Sequence, residues 1–114
     1  MFPNRMESYR HSFGKPPEIR MEILREDGVQ YRVFGLMLDV STGGAKLFSE
    51  HELMKESEII TFFFIVNYEK ITTCGKLVWK LKKPNGWVYG VKWFADPVKE
   101  LLIAEEIKAG IAIS

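Results

Sequence analysis

The sequence predicts an all-β domain: a six-stranded antiparallel barrel with a flexible basic arm before it and a short helix after it. Three observations carry that expectation. Apolar residues recur with period two through most of the chain, the spacing of strands with one buried face. Turn signals such as Asp27-Gly28 and Asn85-Gly86 separate the alternating runs at hairpin distances. After Asp96 the period changes to that of a helix.

Taken in order, residues 1–17 form the arm and residues 18–114 the barrel with its helix. Asn4, Ser8, Ser12, Gly14, Pro16 and Pro17 oppose continuous regular structure, while Arg5, Arg10, His11 and Lys15 make the segment basic. Ile19, Met21 and Ile23 alternate with Glu18, Arg20 and Glu22 in the first long strand. A second strand runs from about Val29 to Val40, with Gly35 marking a bulge or a close backbone approach. Ser41-Thr42-Gly43-Gly44 turns the chain into a short strand, Ala45 to Phe48. Residues 49–57 read as a solvated connection with room for a helical turn.

Two long strands follow, 58–66 and 70–80, and a last one on which Trp87, Tyr89, Val91 and Trp93 share the face that lines the barrel. Asp96 stands where an N-cap belongs and Pro97 at the first helical position, so a helix should run to near Gly110. Leu101 with Ile107, and Val98 with Leu102, are the expected contacts that seat it over one barrel opening.

Composition bounds the function. The 114 residues suit one domain, and 46% hydrophobic with 27% charged residues describes a folded chain. A formal charge of +1 argues against coating a nucleic acid polymer by charge alone. Cys74 is the single cysteine, which excludes an internal disulfide and a multi-thiolate zinc site. The longest apolar run, Ile59 to Val66, is well under half of a membrane span of about 20 residues and is broken by Thr61, so no membrane insertion is expected. The N-terminus lacks a signal-peptide core, which points to a cytoplasmic protein. No nucleophile–base pair and no Walker loop can be read, so no enzymatic activity and no cofactor are expected.

One cluster is suited to binding. Asp39-Val40-Ser41-Thr42-Gly43-Gly44 places an acceptor, a hydroxyl and two permissive glycines at a strand end. Local turn propensity accounts for the same residues, and both readings stand at this point. The aromatic residues Trp79, Trp87, Tyr89 and Trp93 are likewise read as packing, with a stacking surface for single-stranded nucleic acid as the rival.

Arg5 to Arg10 followed by Asp39-x-Ser41-x-x-Gly44, then Val78-Trp79, Tyr89-Gly90-Val91-Lys92-Trp93 and a C-terminal helix, resembles the PilZ domain family over nearly the whole chain. The resemblance implies a receptor for the bacterial second messenger cyclic di-GMP. Arg5 and Arg10 would grip bases and phosphates, and Asp39, Ser41, Gly43 and Gly44 would form the floor of the site. An arginine fork matches guanine O6 and N7 and also pairs with phosphate. With no second domain in these 114 residues, the signal would pass to a separate effector protein. The sequence departs from the family's Arg-x-x-x-Arg arm: Met6 stands four residues before Arg10, and Arg5 is displaced by one. That departure motivates the alternative of a PilZ-like protein-interaction module that has lost the nucleotide.

Overall fold

A computed structural model describes residues 10–25, 27–53 and 59–113, with side chains through Gly110. Seven strands and one helix follow in order: β1 (His11–Ser12), β2 (Glu18–Leu24), β3 (Gln30–Val40), β4 (Gly44–Ser49), β5 (Ile59–Ile65), β6 (Lys70–Lys83), β7 (Gly86–Trp93) and α1 (Pro97–Ile113). All pairings are antiparallel, in the order β3-β2-β5-β6-β7-β4, and β4 returns to pair with β3. The six long strands therefore close into a barrel.

β1 is the addition that alternation did not announce. It lies inside the segment read as the arm, yet pairs His11 with Val40 and Ser12 with Asp39. Phe13 N–H then bonds the Leu38 carbonyl and Pro17 accepts from Met37 N–H, so the chain continues along β3 into β2. Residues 1–9 lie outside the described residues, as do 54–58 of the predicted connection.

The hairpin between β2 and β3 turns at Asp27-Gly28, where Gly28 takes φ +86°, a conformation that favours glycine. Val29 N–H bonds the Asp27 carboxylate across the same turn at 2.9 Å. The glycine in β3 marks a close approach: a Cβ on Gly35 would lie 2.6 Å from the Phe48 carbonyl oxygen. The bulge itself falls later, between Met37 and Asp39, and a second one interrupts β6 between Leu77 and Trp79.

Inward-facing residues fill the barrel: Ile19, Met21, Met37, Leu47, Ile60, Phe62, Ile71 and Tyr89 are buried, and Val91 and Trp93 join the same core. Trp93 stacks on Phe64 at 5.4 Å and meets Phe62 edge-on at 5.2 Å. Tyr89 is held at both ends of its polar group. Its hydroxyl donates to the His51 carbonyl at 3.0 Å and accepts from Leu53 N–H at 2.6 Å. Tyr89→Phe strands both partners and is expected to cost about 1–3 kcal/mol in urea unfolding at neutral pH.

Burial pushes the Tyr89 phenol above its usual 10.0, against the lowering effect of the Leu53 hydrogen bond. Because the folded value is the higher one, the unfolded chain gives up its proton first. The phenol's contribution is complete below pH 10.0 and vanishes as the pH climbs through the folded value. Stability above pH 10 should therefore fall more steeply in the native sequence than in Tyr89→Phe, as unfolding titrations across that range would show.

Asp96 caps α1: its carboxylate accepts from Lys99 N–H at 3.2 Å, and Glu100 reaches back to Asp96 N–H at 3.3 Å. The helix runs three residues past the expected Gly110. Its buried stripe differs from the one expected. Ile103, Ala104 and Ile107 are buried and Leu102 is half-buried, but Val98 and Leu101 are exposed. A 3.6-residue period that buries 103 and 107 turns 98, 101, 105 and 108 to solvent, so the pairs built on Val98 and Leu101 do not form. No helix among the described residues is long and apolar enough to cross a membrane.

Glu106, also on the buried side, anchors the helix to the β5–β6 turn. Its Oε1 accepts from the N–H groups of Asn67, Tyr68 and Glu69 at 3.2, 2.6 and 2.8 Å. Three oriented amides around one carboxylate oxygen form an anion nest. Glu106→Ala is expected to destabilise the domain by about 2 kcal/mol, read from the urea midpoint.

Candidate functional site

The bulge at Leu38 decides where Asp39 points. Along β3, Val33, Gly35 and Met37 face inward, and strict alternation would send Asp39 after them. One extra residue reverses the phase, so Val40 enters the core and Asp39 turns to the outer wall beside Lys46. The bulge at Val78 does the same for β6. Trp79 comes to lie outside, opposite Gly90 of β7, which itself pairs with Lys46 of β4. Asp39, Lys46, Gly90 and Trp79 thus form one row across four strands.

Arg10 reaches this row from the arm. Its Nη1 donates to Asp39 Oδ1 at 2.5 Å, while Lys46 Nζ stands 3.8 Å from the other carboxylate oxygen. Half of the Arg10 side chain remains in solvent and only 8% of Asp39 does. The arginine is therefore oriented by a carboxylate that is itself held in the wall, and its side chain stays half open to solvent.

Beside the pair, Ser41 to Gly44 make a tight turn. Ser41 N–H donates to the Gly44 carbonyl at 2.7 Å, and Gly43 and Gly44 N–H donate back to Ser41 Oγ at 3.3 and 3.2 Å. Buried Trp93 fastens the turn to the core: its indole N–H bonds the Ser41 carbonyl at 3.1 Å and its backbone N–H bonds the Gly43 carbonyl at 3.0 Å. Gly44 has its own reason to lack a side chain. A Cβ there would lie 2.0 Å from the Val91 carbonyl oxygen on β7. Gly90 is bare for a neighbouring reason, since the Trp79 indole lies flat against it, 2.0 Å from where a Cβ would be.

A cleft of about 500 Å³ opens over these residues, within the range that takes a nucleotide-sized molecule. Arg10, the turn 41–44, Lys46, Trp79 and Lys92 line it, with Ala95 and Glu100 at the start of α1 closing one side. Between Lys70 and Trp93 the sequence holds Lys70, Lys76, Lys80, Lys82, Lys83 and Lys92 and no acidic residue, so the strands that build this wall are cationic. The surface suits an anion with a planar part: cations for charge, an arginine fork, and a tryptophan face for stacking.

A sequence model described as the PilZ domain matches residues 4–109. The chain belongs to the PilZ domain family. Solved PilZ structures share its fold. The PilZ domain of YcgR from Escherichia coli with c-di-GMP superposes with a TM-score of 0.62 at 15% identity, over 88% of this chain and 86% of that one. MotI/DgrA, an inhibitor of motility from Bacillus subtilis, gives 0.62 at 12% over 90% of this chain. The PilZ domain of CeSA from a cellulose-synthesizing bacterium gives 0.55 at 17%, over 90% of this chain and 97% of that one. This PilZ chain spans 49% of MotI/DgrA and 43% of the longer YcgR chain solved in complex with c-di-GMP. A comparison with curated protein sequences finds no match.

Of the residues that sequence reading assigned to the PilZ site, Arg10, Asp39, Ser41, Gly43 and Gly44 come together at one end of β3. Arg5 lies outside the described residues, and so does Met6. The backbone N–H groups of Gly43 and Gly44 already serve Ser41, and Asp39 stands behind Arg10 rather than in the cleft lining. Lys46, Lys92 and Glu100 line the cleft without having been singled out for it, and Trp79, read as packing with a stacking surface as the rival, lines it as well. Cross-strand register brings in Lys46, Trp79 and Lys92, and the seating of α1 brings in Glu100; no local pattern carries either.

Proposed function

We propose that this PilZ domain is a non-enzymatic receptor for cyclic di-GMP, binding it in the cleft beside the Ser41–Gly44 turn and passing the signal to a separate protein. The observation that carries the reading is the Arg10–Asp39 contact, which brings the basic segment onto the glycine-bordered turn. The ligand has two guanines and two phosphates. The donors of Arg10 not used on Asp39 match guanine O6 and N7 or a phosphate, and Lys46 and Lys92 supply further positive charge. Trp79 offers a face for a base. Arg5 would add a second guanidinium from residues 1–9, and Asp39, with Ser41, Gly43 and Gly44, would serve mainly to hold Arg10 and shape the floor.

Glu100 lines the cleft and also closes the cap of α1, so an occupied cleft touches the helix start directly. That contact is the route by which binding would alter an exposed surface, through any difference in affinity between two helix positions. Calorimetric titration of the full chain with cyclic di-GMP, followed by proton–nitrogen NMR, tests the reading. Saturable heat with shifts at Arg10, Gly44 and the Trp79 indole is expected. An absence of saturable binding at micromolar ligand would favour the interaction module that has lost its nucleotide.

A further inference from the structure

The barrel has two walls of opposite character, and the one away from the cleft is unused by the reading above. On the outer faces of β2, β3 and β5, Leu24, Phe34, Leu36, Ile59 and Ile65 are each 41–59% exposed. Register sets Phe34 and Phe63 on either side of Arg20, whose guanidinium carbon lies 4.1 Å from the centre of the Phe63 ring. Glu22, next along β2, stands 3.6 Å from Arg20 and 3.5 Å from Arg32. A groove of about 490 Å³ runs beside this ladder, between Phe34 and Ile65 with Pro17 at its end. Isolated exposed apolar residues are ordinary, but Phe34, Leu36, Phe63 and Ile65 gathered round a pre-stacked arginine have the composition of an interface centre.

We propose that the β2–β3–β5 wall is the surface on which two copies of this chain pair. Charge selects the occupant. A two-fold contact sets one patch against itself, so the patch must carry both signs or none. Glu18, Arg20, Glu22 and Arg32 interleave on this wall, with Lys70 at the rim of its groove, so it carries both signs and a rotated copy can place acid over base. The opposite wall, with Lys46, Lys76 and Lys92, would repel its own copy. The inference rests on this wall alone and is independent of the nucleotide.

Sedimentation equilibrium of the full chain without nucleotide, from about 1 to 300 µM, tests it. The native sequence should reach dimer mass in the upper part of that range. Phe34→Glu and Ile65→Glu, each checked for native circular dichroism, should weaken self-association at least tenfold, and whichever retains the fold carries the test. Leu81→Glu on the opposite wall should leave it unchanged. A native chain that stays monomeric throughout would assign the wall to a different kind of partner and overturn the proposal. Dimers that survive in the folded wall variants would overturn it equally.

Discussion

Calorimetric titration of Arg10→Ala is expected to show cyclic di-GMP affinity reduced ten- to a hundredfold. The guanidinium is held at 2.5 Å by Asp39 and its side chain is half in solvent, so the donors not used on Asp39 are available to a ligand. A hydrogen bond to a charged group contributes roughly 1.5–3 kcal/mol, and 1.4 kcal/mol is about one decade of affinity. Arg10→Lys separates charge from geometry. The ammonium keeps the positive charge near Asp39 but cannot present two parallel donors to a guanine edge, so it should recover only part of the loss. Unchanged affinity in Arg10→Ala would remove the arm from the site and would leave Lys46, Lys92 and Trp79 as the groups to examine.

The largest expected effect on stability is that of Gly44→Ala. The added methyl would lie 2.0 Å from the Val91 carbonyl oxygen, and 3.1 Å from its carbon. The obstacle is backbone in a paired strand, so relief requires β4 to move off β7. Overpacking a core position costs typically 1–3 kcal/mol, and a clash with fixed backbone belongs at or beyond the top of that range. About 3 kcal/mol or more is expected, a melting temperature lower by roughly 12 °C or more for a domain of this size. Gly14→Ala is the control, since a Cβ there meets nothing within 4 Å. A Gly44→Ala domain as stable as that control would show the β4–β7 approach to be looser than described. The comparison also bears on the Asp-x-Ser-x-x-Gly pattern: its last residue is bare because two strands need the space, whatever binds above them.

Legibility differed from one part of the chain to another. Ile19, Met21 and Ile23 announced their strand, as Tyr89, Val91 and Trp93 announced theirs, because a half-buried strand imposes period two on its own residues. Asp96 and Pro97 announced the helix start because a cap is a local hydrogen bond. The helix face was misjudged at Val98 and Leu101, since apolar residues lie all round that segment and only docking selects among possible stripes. β1 was missed because two residues have no period; His11 and Ser12 pair where they do because β3 outruns β2 and leaves its end unpaired.

The candidate site divides the same way. The amino-acid sequence by itself determined the strand alternation, the turns, and the presence of an acid, a hydroxyl and glycines at the end of β3. All of these depend on neighbours a few residues apart. Only the tertiary structure decided which wall they face. One extra residue at Leu38 and another at Val78 reversed the phase of two strands, turning Asp39 and Trp79 outward to share a row with Lys46 and Gly90. A bulge exists only as a mismatch between two paired strands, so its position is a property of the closed barrel and not of either segment that forms it.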